Sequence, residues 1–131
     1  MDLTIYLAQV FGLYLIVAGF VVLARQKYFV TVVAQFVEQR LMRMVLGAAE
    51  LIAGLFLVTS HNIWTTPAAI IISLFGWTML IEGVGYLALS DKGFKTYMKK
   101  FNKPSWYRLG GLAALILGFY LAGVGFGYIM M

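Results

Sequence analysis

The chain has 131 residues, 63% of them hydrophobic and 11% charged, with a net charge of +5 and no cysteine. Soluble domains are about half apolar and about a quarter charged, so this composition excludes an ordinary water-soluble globule and makes lipid the solvent. The missing cysteine excludes disulfides, thiolate catalysis and cysteine-held metal, and the length suits one domain.

The first apolar run, 3–24, carries no charge. It exceeds the roughly 20 residues that cross a bilayer and predicts a spanning helix. Asp2 precedes it without a basic segment, so it reads as a retained span rather than a cleaved signal. In the following "KYFVTVVAQFVEQRLM", Phe29, Val32, Val33, Phe36 and Val37 recur at helical spacing. That pattern predicts an amphipathic helix over 27–42 lying in the membrane interface. The second span, 44–60, carries Glu50 and has a short apolar stretch, so it is expected to borrow length from Arg43 snorkelling at one end. "TSHNIWTT", 59–66, is a hairpin without Lys or Arg. Its His61 lacks the companions of a metal site, and nothing in the spacing of Ser60, His61 and Asp2 supports a triad.

The third span, 67–89, carries Glu82. After it, "DKGFKTYMKKFNKP" sets Phe94, Tyr97, Met98 and Phe101 against Lys92, Lys95, Lys99, Lys100 and Lys103. A second interfacial helix is expected over 91–103, capped by Ser90 or Asp91 and ended near Pro104. The last span, 109–131, is uncharged. Backbone groups in lipid must be satisfied internally, so the fold expected is all-α: a polytopic membrane protein with a four-transmembrane-helix bundle.

All ten Lys and Arg fall in 25–43 and 90–108, and none in the hairpin or at either terminus. Basic loops stay in the cytoplasm, which places both termini and the hairpin outside. The positive charge then faces the anionic inner leaflet, not nucleic acid. Arg25, Lys27 and the five lysines of 92–103 are the expected contacts to anionic lipid or to a partner, although a plain topology anchor needs the same charge.

A shift of 64 positions sets Gly12, Gly19, Gly47 and Gly54 on Gly76, Gly83, Gly111 and Gly118. It also brings the two amphipathic segments into register. The reading is a tandem span–interfacial helix–span repeat with a pseudo-two-fold axis along the membrane normal. Small residues allow close backbone approach in lipid. Gly110, Ala114, Gly118 and Ala122 form a stripe, to which Gly123 and Gly127 add a GxxxG. The stripe suits either internal packing or the face of a homo-oligomer.

Glu50 and Glu82 are ionisable groups inside apolar runs, which makes them functional candidates. Each lies about two turns from the basic end of its span, so the two share a depth. If the spans pack together, both carboxylates cannot stay ionised in a low dielectric. The pair suits a proton carrier or a cation site, and equally a carboxylic acid in a static interhelical hydrogen bond. Gln9, Tyr14, Ser73, Thr78 and Tyr86 are polar neighbours to consider, with depth favouring Thr78 and Tyr86.

The stretches "SHNIW" (60–64) and "FGWTMLIEGVGYL" (75–87) resemble those of small, uncharacterised four-span bacterial integral membrane proteins. The resemblance implies a multi-pass protein of the bacterial inner membrane. Two functions are expected from these features. One is a non-enzymatic structural or scaffold subunit, homo-oligomeric or within a membrane complex, without metal or cofactor. The other is a small oligomeric proton- or cation-conducting channel or transporter built on Glu50 and Glu82.

Overall fold

A computed structural model describes residues 3–130. Among them are six helices: α1 (Leu3–Ala24), α2 (Gln26–Phe36), α3 (Arg40–Ser60), α4 (Pro67–Ala88), α5 (Asp91–Phe101) and α6 (Pro104–Gly125). Four of these, α1, α3, α4 and α6, are long and apolar enough to cross a membrane. The all-α bundle expected from the sequence is the fold.

Local chemistry sets the helix ends. Thr66 caps α4 by accepting from Ala69 N at 3.2 Å, with Pro67 in the first turn, where its missing N–H costs nothing. Ser90 caps α5 by accepting from Gly93 N at 3.0 Å. Pro104 opens α6 rather than closing α5. The last span is shorter at its far end than expected. Gly127 takes a left-handed φ of 85°, and Tyr128 N donates back to Gly123 O at 2.7 Å. This glycine-based turn stops α6 at Gly125 and folds the following residues over it. α3 borrows its length from the flanks as expected, beginning a turn earlier at Arg40 and running to Ser60.

The spans associate as two antiparallel pairs, α1 with α6 and α3 with α4, joined through a narrower contact between α1 and α4. Glycines set the closeness within each pair. A Cβ on Gly12 would lie 2.4 Å from Ala122 N, and one on Gly83 would lie 2.5 Å from Leu51 N. The partners of the two pairs correspond under the same 64-position shift. Gly118 meets Ile16 as Gly54 meets Leu80, and Gly111 meets Leu23 as Gly47 meets Leu87. Phe11 and Phe75, which also correspond, stack on each other at 5.5 Å where the pairs join.

The buried apolar cluster of Ala8, Leu57, Ala68, Ile72, Leu121 and Val124 fills the hairpin half of the bundle. At the opposite end, α2 and α5 cover the helix termini. Asn102 Nδ2 donates to Val30 O at 3.0 Å, and Tyr107 donates to Asn102 Oδ1 at 2.6 Å, tying the two short helices together. Large apolar side chains such as Phe20, Phe56, Ile81 and Ile116 point outward, as lipid-facing surfaces require.

Candidate functional site

Arg43, Gly47, Glu50 and Gly54 lie on one face of α3 at helical spacing, turned toward α4. Gly83 of α4 seats directly on the Leu51 backbone and Gly47 O. The residues just before Leu51 and Gly83, Glu50 and Glu82, are thereby brought side by side, close enough for their carboxyls to interact. Glu50 is half-buried and Glu82 faces outward. Glu50 Oε2 is sealed from the surface yet has no hydrogen-bond partner, so the two carboxyls interact without a well-formed bond at that oxygen. Tyr86, one turn along α4, lies near both. Of the other polar neighbours, Ser73 and Gln9 are engaged elsewhere, Gln9 donating to Gly125 O at 2.8 Å.

The nearest cations are taken by other acids. Arg43 Nη2 pairs with Asp91 Oδ1 at 2.8 Å, Arg40 bonds the other oxygen, and Lys95 pairs with Glu38 at 2.9 Å. Among the described residues, no ion pair reaches Glu50 or Glu82. Arg43 does not snorkel to water as expected. It is buried, stacked 5.0 Å from the Phe94 ring and clamped by Asp91. The hydrogen bond from Arg40, helped by Arg43, holds the Asp91 carboxyl below its usual range.

Beside the pair, the elbow between α4 and α5 encloses a cavity of about 240 Å³ lined by Ile81, Glu82, Gly85, Tyr86, Leu89, Phe94 and Tyr97. Phe94 is wholly buried and packs edge-on to Tyr86 at 5.2 Å. Gly85 is the residue that leaves the space open, since a Cβ there would meet nothing within 4 Å. The sequence marked Glu82 but not this cavity. Its signal was "EGVG", in which one glycine faces α3 and the other faces away.

The basic candidates divide. Lys92, Lys99 and Lys100 are exposed along α5 and Lys103 just before α6, whereas Lys95 is committed to Glu38. Arg25 stacks 3.8 Å over Tyr28, and with Lys27 it lines an open concavity at the α1–α2 elbow.

The small-residue stripe divides as well. Gly118 and Ala122 are consumed inside the molecule against α1, Ala114 is half-buried, and Gly110 faces open space. The expected GxxxG of Gly123 and Gly127 is not a helix face. Gly127 lies beyond the end of α6, and Gly123 is covered by Ile129.

At the hairpin end the structure assembles a polar cluster that sequence reasoning missed. His61 is buried, with Nε2 at 2.8 Å from Thr4 Oγ1 and Nδ1 at 3.2 Å from Ser73 Oγ. Ser73 also receives Ile63 N at 3.1 Å and donates to Ile63 O at 2.7 Å. Ser60 takes no part, bonding Phe56 O of its own helix at 2.6 Å, and Asp2 lies outside the described residues. The signal available was a serine inside an apolar span, twelve positions after the histidine. Comparison with protein-family models, curated proteins and solved structures returned no match.

Proposed function

We propose that this is a non-enzymatic protein of the bacterial inner membrane whose working element is the Glu50–Glu82 pair, binding and exchanging a proton or a small cation. The termini and hairpin lie outside, and α2 and α5 lie at the cytoplasmic face, in keeping with the basic residues gathered there. One observation carries the reading: two carboxyls from neighbouring spans lie side by side with no cationic partner. Like charges side by side in a low dielectric repel strongly, and a proton or cation between them relieves the repulsion. The seam beyond the pair is packed, Gly54 on Leu80 and Gly76 on Leu57 and Val58. Exchange therefore belongs to the cytoplasmic side of the chain, and passage across the bilayer needs a second copy or a rearrangement.

A second reading has its own observation. The lysines exposed along α5 present a cationic face at headgroup depth, suited to anionic lipid or a partner in a structural or scaffold role. The 64-position correspondence of helix ends and seams supports a duplicated two-span unit under either reading.

Proteoliposomes with an internal pH dye test the first reading. Wild type should move protons under an imposed pH gradient or voltage, and Glu50→Gln and Glu82→Gln should each abolish the movement with thermal unfolding unchanged. Silence of the wild type under both driving forces would exclude conduction and reduce the pair to a proton-holding contact within the bundle, beside the lysine face.

A further inference from the structure

The cavity at the α4–α5 elbow has a definite chemistry. Phe94 and Tyr86 form its floor, Tyr97 stands at its rim, Glu82 supplies one wall, and Gly85 keeps it open. The lining includes no Lys or Arg. The guanidinium of Arg43 touches Phe94 but is neutralised by Asp91.

The matching elbow in the first half of the chain offers a comparison. There, the 64-position shift replaces Glu82, Gly85, Tyr86, Phe94 and Tyr97 by Ala18, Val21, Val22, Val30 and Val33. The first elbow is built differently, with Arg25 alone between α1 and α2 where Leu89 and the capping Ser90 separate α4 from α5, and its own concavity is lined by Arg25 and Lys27 among others. Both elbows are therefore concave, but only the second sets an acid among three aromatic rings with no Lys or Arg.

The geometry points to a binding site for a membrane-soluble organic cation, an alkylated ammonium whose head enters the elbow while its apolar arms remain in lipid. Aromatic rings attract a diffuse cation through their quadrupole, most strongly when it is desolvated. Glu82, backed by Glu50, supplies the countercharge. A bare sodium ion is served poorly by such walls, because few oxygens replace its hydration. The volume of about 240 Å³ falls below the roughly 300–1,000 Å³ of pockets that enclose drug-sized ligands, so a head group fits and a whole drug does not. The assignment rests on the proposed role of the carboxylate pair for its charge.

The test is equilibrium dialysis of radiolabelled tetrapropylammonium against the full chain in a maltoside detergent, which contributes no ammonium. Wild type should bind one cation per chain saturably, undisturbed by a hundredfold excess of sodium. Gly85→Leu, whose Cβ would meet nothing within 4 Å, and Glu82→Gln should each weaken binding at least tenfold. Tyr97→Leu, at the exposed rim, should weaken it severalfold.

Absence of saturable binding in wild type, or full binding by a folded Gly85→Leu variant, overturns the assignment. Displacement by an equimolar aminophospholipid overturns it in favour of a headgroup site. Proton movement in proteoliposomes without organic cation is a separate readout. Its presence alongside failed binding sinks the organic cation alone, and the loss of both sinks the carboxylate reading as well.

Discussion

Ser73 has one hydroxyl proton, and its shortest contact spends that proton on Ile63 O at 2.7 Å. Its lone pairs must then receive Ile63 N and His61 Nδ1, which assigns the Nδ1 proton by bookkeeping of donors rather than by sight of a hydrogen. The hydroxyl thus fastens the hairpin to α4, at a serine only 1% exposed. Ser73→Ala would strand the imidazole N–H and both Ile63 backbone groups. A stranded buried group costs about 1–3 kcal/mol, so a loss of at least that size is expected in reversible unfolding by denaturing detergent. A loss under about 0.5 kcal/mol would mean that the hairpin is held elsewhere. Glu82 and Glu50 were legible in the sequence because a charge stands out in an apolar run, and a shared depth follows from helical rise alone. His61 was not, because its partners lie 57 and 12 positions away and hydroxyls in apolar spans are common.

Among the elements, α5 is docked by charge as well as by the buried Phe94, where the spans are docked by shape. Its first residue, Asp91, binds Arg40 and Arg43 at the start of α3, and Lys95 one turn on binds Glu38. Bonding to Arg40 first, then Arg43, depresses the Asp91 pKa from its usual 3.8. A depressed carboxylate stabilises the folded form fully above its unfolded pKa, and that stabilisation disappears as pH falls through the folded value. Protection factors of the α5 amides, with the intrinsic pH dependence of exchange divided out, should therefore hold down to about pH 4 and fall only below it. Asp91→Asn should show lower protection throughout, with no such step, and a step that survives in that variant would place the titration on another group. The amphipathic spacing of α5 and its serine cap were legible in the sequence. The clasp was not, because Arg40 and Arg43 read equally well as topology charges, and an ion pair across 51 positions leaves no local pattern. The same limit explains the end of α6: glycines spaced by four read as a helix face, and only the backbone shows Gly127 turning the chain.

At the scale of the molecule, the pairing crosses the two halves of the chain. α1 of the first half holds α6 of the second, α3 holds α4, and neither half closes a seam by itself. Each seam depends on backbone approach at glycine, because lipid provides no hydrophobic drive and packing must supply the association. Gly12→Ala would push a methyl into the Ala122 backbone, and Gly83→Ala into that of Leu51. Neither backbone can yield as a side-chain tip would, so each variant should lose about 1–3 kcal/mol by overpacking. Gly76→Ala should cost less, because its methyl would meet only the side chains of Leu57 and Val58, at 3.1 Å or more. The seams share no residue among these contacts, so the double variant Gly12→Ala with Gly83→Ala should be additive to about 0.5 kcal/mol. Gly12→Ala with Gly118→Ala acts twice on the α1–α6 seam, where Gly118 rests on Ile16 and Gly12 O. Once the first methyl has spread that seam, the second should cost distinctly less than it does alone. Unfolding free energies of the four single and two double variants decide the matter. Strong coupling between Gly12 and Gly83 would mean that the four spans yield as one body rather than as two crossed pairs.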